Sequence, residues 1–574
     1  MKKVKSKISQ LELSKLKFFG FVILFTAATL VLIGRLFYLQ IIKYDEFKAK
    51  AKNIQLIKIE VKPNRGKIFD RKGNELVTNT KSLKIAVDPN VFGRMTNKKE
   101  RKKKANFINL LSSITKKPKS YYLKKIADTN LRYVVLEKEI NILHKSAFYD
   151  LDLFGLIITE NGERIYPHDN VASHILGFTN SDGLGISGLE LQFDSVLRGV
   201  PGYMILKRDL KRDLHAGAEL PSFPSKDGNN LTLTIDLNLQ SIVEYELAQG
   251  IANFSADAGS VIVMNPFTGE ILALASYPSF DPNILYQRRS EWVRNRAIND
   301  EYEPGSIFKM ITAAAALEEG LVAPNQIFSG YGGAMKVGEY TIRDVHALGN
   351  ITFRQAVEQS SNIVFAQVAS RIPHKTFYKY IRDFGFGLLS DIELPGEARG
   401  RIPKPNKLNS TLQKYVGFGY GISATPLQML CAYSAVANGG NLIKPYLVKS
   451  IVDNSGNVLY QAKTKVIRKV VSKSTSDMIK DLFYGVIERG TGKAVRIKNL
   501  QIAGKTGTSQ QLVDGSYSKA RYNASFVGFF PVDNPKVAMI VVLDNPKGVY
   551  YGGATSAPIF KNIALRMVNS SYFW

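Results

Sequence analysis

The chain has 574 residues, too many for one ordinary domain, with ample apolar content for large cores. Its formal net charge of +28 suggests an anionic neighbour, although dispersed lysine is also a plain compositional bias. No zinc-finger, helix-turn-helix or aromatic-basic RNA pattern is present, which argues against nucleic acid as the partner.

The first sharp feature is residues 18–34, an uncharged run followed by Arg35 and Leu36-Phe37-Tyr38-Leu39. With Lys17 and Arg35 snorkelling, a helix over 18–39 spans a bilayer and leaves residues 1–17 as a short tail. A cleaved signal peptide is the rival reading, but no small-x-small cleavage site follows the apolar run. Lysines flank the span on both sides, so the positive-inside count leaves its orientation open.

Residues 40–225 read as an elongated region of small strands, turns and short helices. Arg65-Gly66 and Asp70-Arg71-Lys72-Gly73 predict an extended segment broken by turns, and residues 82–88 a short strand. The basic run 98–104 predicts a solvated helix start or loop rather than a binding patch. Residues 184–190 and 197–202 bracket a short helical segment. No nucleophile-and-base pair occurs here, and His168 and His174 lack the spacing and acidic companions of a metal site.

A Pro/Ser/Lys/Asp/Gly stretch over 222–230 marks a boundary, with a second domain over 226–574. Residues 231–235 predict a strand, 239–248 a helix, and 258–265 with 271–276 a hairpin. Pro304 and Gly305 precede Ser306-Ile307-Phe308-Lys309 and an alanine-rich run over 311–317. Ser306 is therefore expected in the first turn of a helix, with Lys309 one turn on and on the same face. Residues 351–369 read as helix, 501–504, 524–530 and 537–543 as strands, and 556–567 as a closing helix. Residues 511–523 read as a loop. Cys431, the single cysteine, lies in an apolar run and is expected in a core. The domain is expected to be mixed α/β with a largely antiparallel sheet.

Three short segments carry the chemistry. Ser306 needs a base, and Lys309 can serve if burial or a neighbouring cation lowers its pKa. Ser360-Ser361-Asn362 places a proton-relaying hydroxyl and an amide two residues apart, though such a triplet alone is more often a helix cap. Lys505-Thr506-Gly507-Thr508 is set just after Ile502-Ala503-Gly504, and a strand edge of such small residues admits a peptide-like ligand beside the backbone. Lys505 and the hydroxyls of Thr506 and Thr508 can bind a carboxylate, and the N–H groups of Ser306 and Thr508 suit an oxyanion hole. Each segment is unremarkable alone. In the order Ser-x-x-Lys, Ser-x-Asn, Lys-Thr-Gly, separated by 54 and then about 140 residues, they form the signature of serine enzymes that acylate on penicillin-like or D-Ala-D-Ala substrates.

The sequence resembles the class B penicillin-binding proteins, monofunctional peptidoglycan transpeptidases. The resemblance runs from the tail and anchor through the Arg65-Gly66 and Asp70-Arg71-x-Gly73 motifs to the catalytic segments. Arg294-Asn295-Arg296-Ala297, Tyr302-Glu303-Pro304-Gly305-Ser306 and Gly185-x-x-Gly188-Leu189-Glu190 are most similar to the septal subclass. It implies a penicillin-binding/serine β-lactamase-like transpeptidase domain behind a pedestal or dimerisation-like domain. Ser306 is then acylated by the penultimate D-Ala of a donor stem peptide, and Lys309 takes its proton. Ser360 passes a proton to the leaving amine, Asn362 orients Lys309 and the substrate amide, and Lys505 supplies charge. Thr506 and Thr508 hold the terminal carboxylate beside Gly507. Asp344 and His346 are candidates to line the cleft, with a structural role as the alternative, and the 511–523 loop is a candidate border of the acceptor side.

No metal or diffusible cofactor is implied. The implied partners are peptidoglycan stem peptides, β-lactams as inhibitors, membrane lipids, a polytopic septal glycosyltransferase and division proteins. The substrate lies outside the cytoplasmic membrane, so the tail is cytoplasmic and the catalytic domain extracytoplasmic. The alternatives are an elongation-type transpeptidase, a D,D-carboxypeptidase, a β-lactam-hydrolysing or sensing protein on the same fold, and a catalytically inactive division scaffold.

Overall fold

A computed structural model describes residues 2–131, 133–208, 214–215 and 221–570. The chain divides into two compact units, residues 1–63 with 200–226, and residues 64–199 with 227–574.

In the first unit a helix over Lys2–Phe37 passes through a π turn, Tyr38–Ile42, into a second helix, Tyr44–Gln55. The part over Glu12–Ile42 is long and apolar enough to cross a membrane. Helical structure, with the π turn included, extends past both ends of the expected 18–39 span, because lysine, glutamate and arginine are good helix formers and the charge-free run does not set where helical hydrogen bonding stops. Strand Leu56–Val61 then pairs antiparallel with Gly202–Arg208.

The second unit contains two main sheets. One has seven strands. Its long strand Glu75–Val87 pairs antiparallel with Val134–Asn141 and Leu156–Ile165, and through the short strand Ile68–Phe69 it joins Asn230–Leu233, Val448–Val452 and Val458–Gln461. The strand expected over 82–88 is thus the second half of a longer one. Against it lies the helix Lys98–Thr115, whose N-terminus is capped by Asn97 and whose inward face buries Phe107, Ile108 and Leu111. The basic run is the solvated first part of that helix.

The second sheet has five antiparallel strands in the order Ile271–Tyr277, Ala258–Met264, Val537–Asp544, Ser516–Phe530, Ala503–Val513. One face packs on helices Leu237–Phe254 and Ser556–Asn569, and the other on Pro426–Ala437. Alternation along Ala258–Met264 shows the two cores: Ile262 and Met264 join one, Val261 and Val263 the other. Cys431 is buried in the first of these cores. Residues 511–523 are not a loop. They lengthen two strands into a hairpin that turns at Asp514 and Gly515, both at positive φ. Tyr517 and Tyr522 supply aromatic strand formers in that stretch.

The motifs around Arg65 and Glu190, far apart in sequence, meet in one buried ion network. Arg65 Nε donates to Glu190 Oε2 at 2.6 Å and its Nη1 to Asp194 at 2.7 Å, while Arg164 Nε donates to Glu190 Oε1 at 2.6 Å. Glu190 is 0 % exposed. At Gly66 a Cβ would lie 1.9 Å from the Asn229 carbonyl oxygen, so only glycine lets the strand enter there. Burial raises the Asp70 pKa, but hydrogen bonds from the Asn74 side chain and from the backbones of Asn74, Lys72 and Leu237 outweigh it and hold the carboxyl below its usual value. Asp70 thereby ties its own turn to the start of the helix Leu237–Phe254.

Truncating the shared carboxylate leaves the buried Arg164 guanidinium without its carboxylate and Arg65 with Asp194 alone. Glu190→Ala is expected to cost about 3–5 kcal/mol of stability, read as a lower denaturation midpoint. A loss below about 1 kcal/mol would contradict the network's structural importance.

Candidate active site

Ser306 sits in a 3-10 turn, Gly305–Phe308, that runs directly into the helix Lys309–Glu318. The turn is tighter than the α-helical first turn expected. Gly305 enters it at φ +55° and lies so close to the Lys505 strand that a Cβ would be 3.1 Å from the Thr508 carbonyl oxygen. Ser509 Oγ donates to the Glu303 carbonyl at 2.6 Å, and Tyr433 Oη to the Ile307 carbonyl at 2.9 Å. The Ser509 contact holds the turn against the outermost strand of the sheet, and the Tyr433 contact ties it to the helix Pro426–Ala437.

Residues 351–369 are split into two helices, Phe353–Glu358 and Asn362–Arg371, by the Ser360 turn. Ser360 has φ +59°, a conformation unfavourable for a residue with a Cβ and one that concentrates at functional sites. Ser361 caps the second helix by accepting from Val364 N–H at 3.1 Å, so the expected cap is present within the expected functional triplet. Asp344 fixes the whole turn. It accepts from Ser361 Oγ at 2.6 Å and from the backbone N–H groups of Asn362 at 2.5 Å and Ile363 at 3.1 Å. Asn362 Nδ2 donates to the Arg343 carbonyl, which turns its amide oxygen toward Lys309.

Lys309 is 0 % exposed, and its Nζ lies 3.0 Å from Ser306 Oγ, 2.6 Å from the Ser360 carbonyl oxygen, 3.1 Å from Ser360 Oγ and 2.8 Å from Asn362 Oδ1. The carbonyl and amide oxygens accept only. A neutral amine has two N–H groups for those two oxygens and one lone pair left for a hydroxyl. Burial lowers the Lys309 pKa well below its usual value, the Lys505 charge lowers it further, and Asp344 opposes both. Lys505 is itself fully buried, and burial pushes its pKa down to about 7. The arrangement can therefore present an unprotonated amine to the Ser306 hydroxyl near neutral pH.

On the Lys505 strand, Gly507 leaves no room for a larger residue, since a Cβ would be 2.3 Å from Ser525 Oγ. Thr506 Oγ1 lies 2.9 Å from Thr491 Oγ1, and Thr508 Oγ1 accepts from Gly552 N–H at 3.0 Å. Of the sequence-predicted residues, Ser306, Lys309, Ser360 and Asn362 meet directly. Lys505 joins them electrostatically, and Gly507 and Thr508 lie against the Ser306 turn. His346 makes no hydrogen bond with this group among the described residues. Thr491 and Gly552 were not anticipated. Arg489-Gly490-Thr491-Gly492, a hydroxyl between two glycines, was the available signal for the first, and Gly552-Gly553 for the second.

The family profile described as penicillin binding protein transpeptidase domain matches residues 259–565, and that of the penicillin-binding protein dimerisation domain matches 60–233. The chain is similar to the stage V sporulation protein D of Bacillus subtilis (strain 168), 34 % identical over 95 % of this chain and 84 % of that one. It is 31 % identical to the peptidoglycan D,D-transpeptidase FtsI of Escherichia coli (strain K12), over 94 % of this chain and 89 % of that one. The probable peptidoglycan D,D-transpeptidase PbpC of Pseudomonas aeruginosa is 30 % identical over 95 % and 94 %. Penicillin binding protein 3 from Mycobacterium tuberculosis, complexed with aztreonam, superposes with a TM-score of 0.70 at 25 % identity, covering 90 % of this chain and 98 % of that one. The chain belongs to the class B penicillin-binding proteins. It carries their serine-type D,D-transpeptidase domain, and its apolar N-terminal helix fits a single membrane anchor with that domain on the outer side.

With Lys309 as base, acylation of Ser306 is expected to accelerate with rising pH as the Lys309 ammonium gives up its proton. Lys505→Met removes a charge that lowers the Lys309 pKa, so the rising limb of the pH–rate profile should move to higher pH. Stopped-flow acylation across pH measures this. An unmoved limb, or one moved to lower pH, would contradict the coupling.

Proposed function

We propose that the chain cross-links peptidoglycan stem peptides through an acyl-enzyme on Ser306, and that it does so during septum formation. Four oxygen contacts around Lys309 Nζ, one of them to Ser306 Oγ at 3.0 Å, carry the catalytic reading. Lys309 takes the Ser306 proton as Oγ attacks the carbonyl carbon of the donor's penultimate D-Ala. The N–H groups of Ser306 and Thr508 hold the oxyanion. Lys309 hands that proton through Ser360 to the nitrogen of the terminal D-Ala as the C–N bond breaks, and Asn362 keeps Lys309 in register and meets the substrate amide. Lys505 supplies positive charge, and Thr506 and Thr508 hold the terminal carboxylate, with Gly507 letting the strand lie close against the Ser306 turn. An amine of a second stem peptide then attacks the ester. A C–N bond forms, the C–Oγ bond breaks, and the amine's proton returns to Ser306 by way of Lys309. Aminolysis outruns hydrolysis by positioning the amine.

The septal assignment rests on the runs 294–306 and 185–190. On this reading residues 1–17 are cytoplasmic, 18–39 the core of the anchor, 40–225 a pedestal that docks a polytopic glycosyltransferase and division proteins, and 226–574 the transpeptidase domain. β-Lactams acylate Ser306 as substrate mimics, which the relative solved with aztreonam supports. The intact set of Ser306, Lys309, Ser360, Asn362 and Lys505 counts against an inactive scaffold.

Fluorescent penicillin should label the chain covalently, and Ser306→Ala should abolish the label. Persistence of labelling in that variant would overturn the nucleophile. A donor thioester supplied with an amine acceptor should give the aminolysis product, whereas hydrolysis alone would indicate a carboxypeptidase. Depletion should give filamentous cells, and rounded cells would assign the chain to elongation instead.

A further inference from the structure

The two threonines of the Lys505 strand are each held from behind, and the polarity of those contacts has a consequence. Residues 506 and 508 are two apart on one strand, so their side chains share a face. A hydroxyl has one proton to give. Thr508 Oγ1 accepts from Gly552 N–H, which can only donate, so the Thr508 proton stays available for another acceptor. Gly552 reaches this position because it has no side chain: a Cβ there would lie 2.3 Å from the carbonyl oxygens of Gly507 and Ser525. Thr506 Oγ1 lies 2.9 Å from Thr491 Oγ1, a pair in which either atom can donate. Once an anion takes the Thr506 proton, Thr491 must be the donor of that pair.

Thr491 is itself held in place. Its N–H donates to the Glu358 carbonyl at 3.2 Å, and the Glu358 carboxylate pairs with Arg489 at 2.6 Å. Gly490 lies so near that a Cβ would be 2.1 Å from the same carbonyl oxygen. Glu358 ends the helix that leads into the Ser360 turn, so Thr491 is referenced to the catalytic serine turn as well as to the strand.

We propose that Thr491 is a positioning residue that, together with the Gly552 N–H, sets the Thr506 and Thr508 hydroxyls as a matched pair of proton donors for the terminal carboxylate of the donor peptide. The proposal rests on the transpeptidase reading above. Donation into Thr506 Oγ1 polarises its O–H toward the carboxylate, and loss of Thr491's hydroxyl leaves that oxygen without its donor. The selectivity is therefore for an anionic over a neutral substrate end.

The test uses the full-length chain in detergent with two probes, an N-acyl-D-alanyl thioester of thioglycolic acid and its thioglycolamide counterpart. Thr491→Val should lower kcat/KM for the acid by about three- to tenfold, mainly through KM, and leave the amide nearly unchanged. Thr491→Ser should restore the acid's rate, because it returns the hydroxyl. Equal losses with acid and amide would assign Thr491 a merely structural role, and no loss with the acid would remove it from the carboxylate site. Either outcome overturns the proposal while wild-type turnover of both thioesters and penicillin labelling of Ser306 still stand. A wild-type chain that neither turns over the acid nor labels would instead overturn the transpeptidase reading on which the proposal rests.

Discussion

Lys309 has no solvent exposure, and its amine is ringed by four oxygen atoms from three residues. Burying an ammonium costs several kcal/mol unless a carboxylate compensates it, and none of the four oxygens belongs to one. The neighbouring Lys505 adds a second buried amine of the same kind. The cheapest response is loss of a proton, and the two obligate acceptors, the Ser360 carbonyl and the Asn362 amide oxygen, use the N–H groups that remain. What is left is a lone pair with serine hydroxyls as neighbours. The chemistry of the site follows from this one packing constraint.

Other features serve to keep those oxygens in place. A carbonyl can point at Lys309 from residue 360 because the backbone there is left-handed, and Asp344 holds it by three hydrogen bonds to the following residues. The Ser306 turn meets the outer strand of the five-stranded sheet where side chains are missing. At Gly419 a Cβ would lie 2.1 Å from the Gly305 carbonyl oxygen, and at Gly507 it would be 3.0 Å from Ile307 Cγ2. Small residues bring backbone to backbone, and the antiparallel sheet supplies a rigid strand at its boundary for a peptide to follow.

Much of this was legible in the sequence. Ser306 and Lys309 are local, so their spacing alone placed them on one face, and the 258–276 hairpin was readable from its turn residues Pro266 to Gly269. The Ser-x-Asn and Lys-Thr-Gly segments had meaning only in combination, because each alone is common in caps and turns. The role of Asp344 is not legible locally, since a carboxylate that caps a helix 18 residues away leaves no periodic trace. Thr491 and Gly552 act across turns that only the tertiary fold closes. The split at Ser360 was hidden by helical spacing on both sides of it. The 511–523 hairpin was hidden by Gly and Ser, which weaken the strand signal even where neighbouring Tyr and Val pair well. The Arg65 and Glu190 motifs were recognisable by resemblance, yet their meeting in one buried network depends on contacts 125 residues apart.

The most direct measurement is a crystal structure of the chain acylated by a penicillin. The account predicts an ester at Ser306 Oγ, with its carbonyl oxygen hydrogen-bonded to the N–H groups of Ser306 and Thr508. It also predicts Lys309 Nζ still held by the Ser360 carbonyl and Asn362 Oδ1. An adduct on another residue, or a Lys309 amine released from those two acceptors, would contradict it.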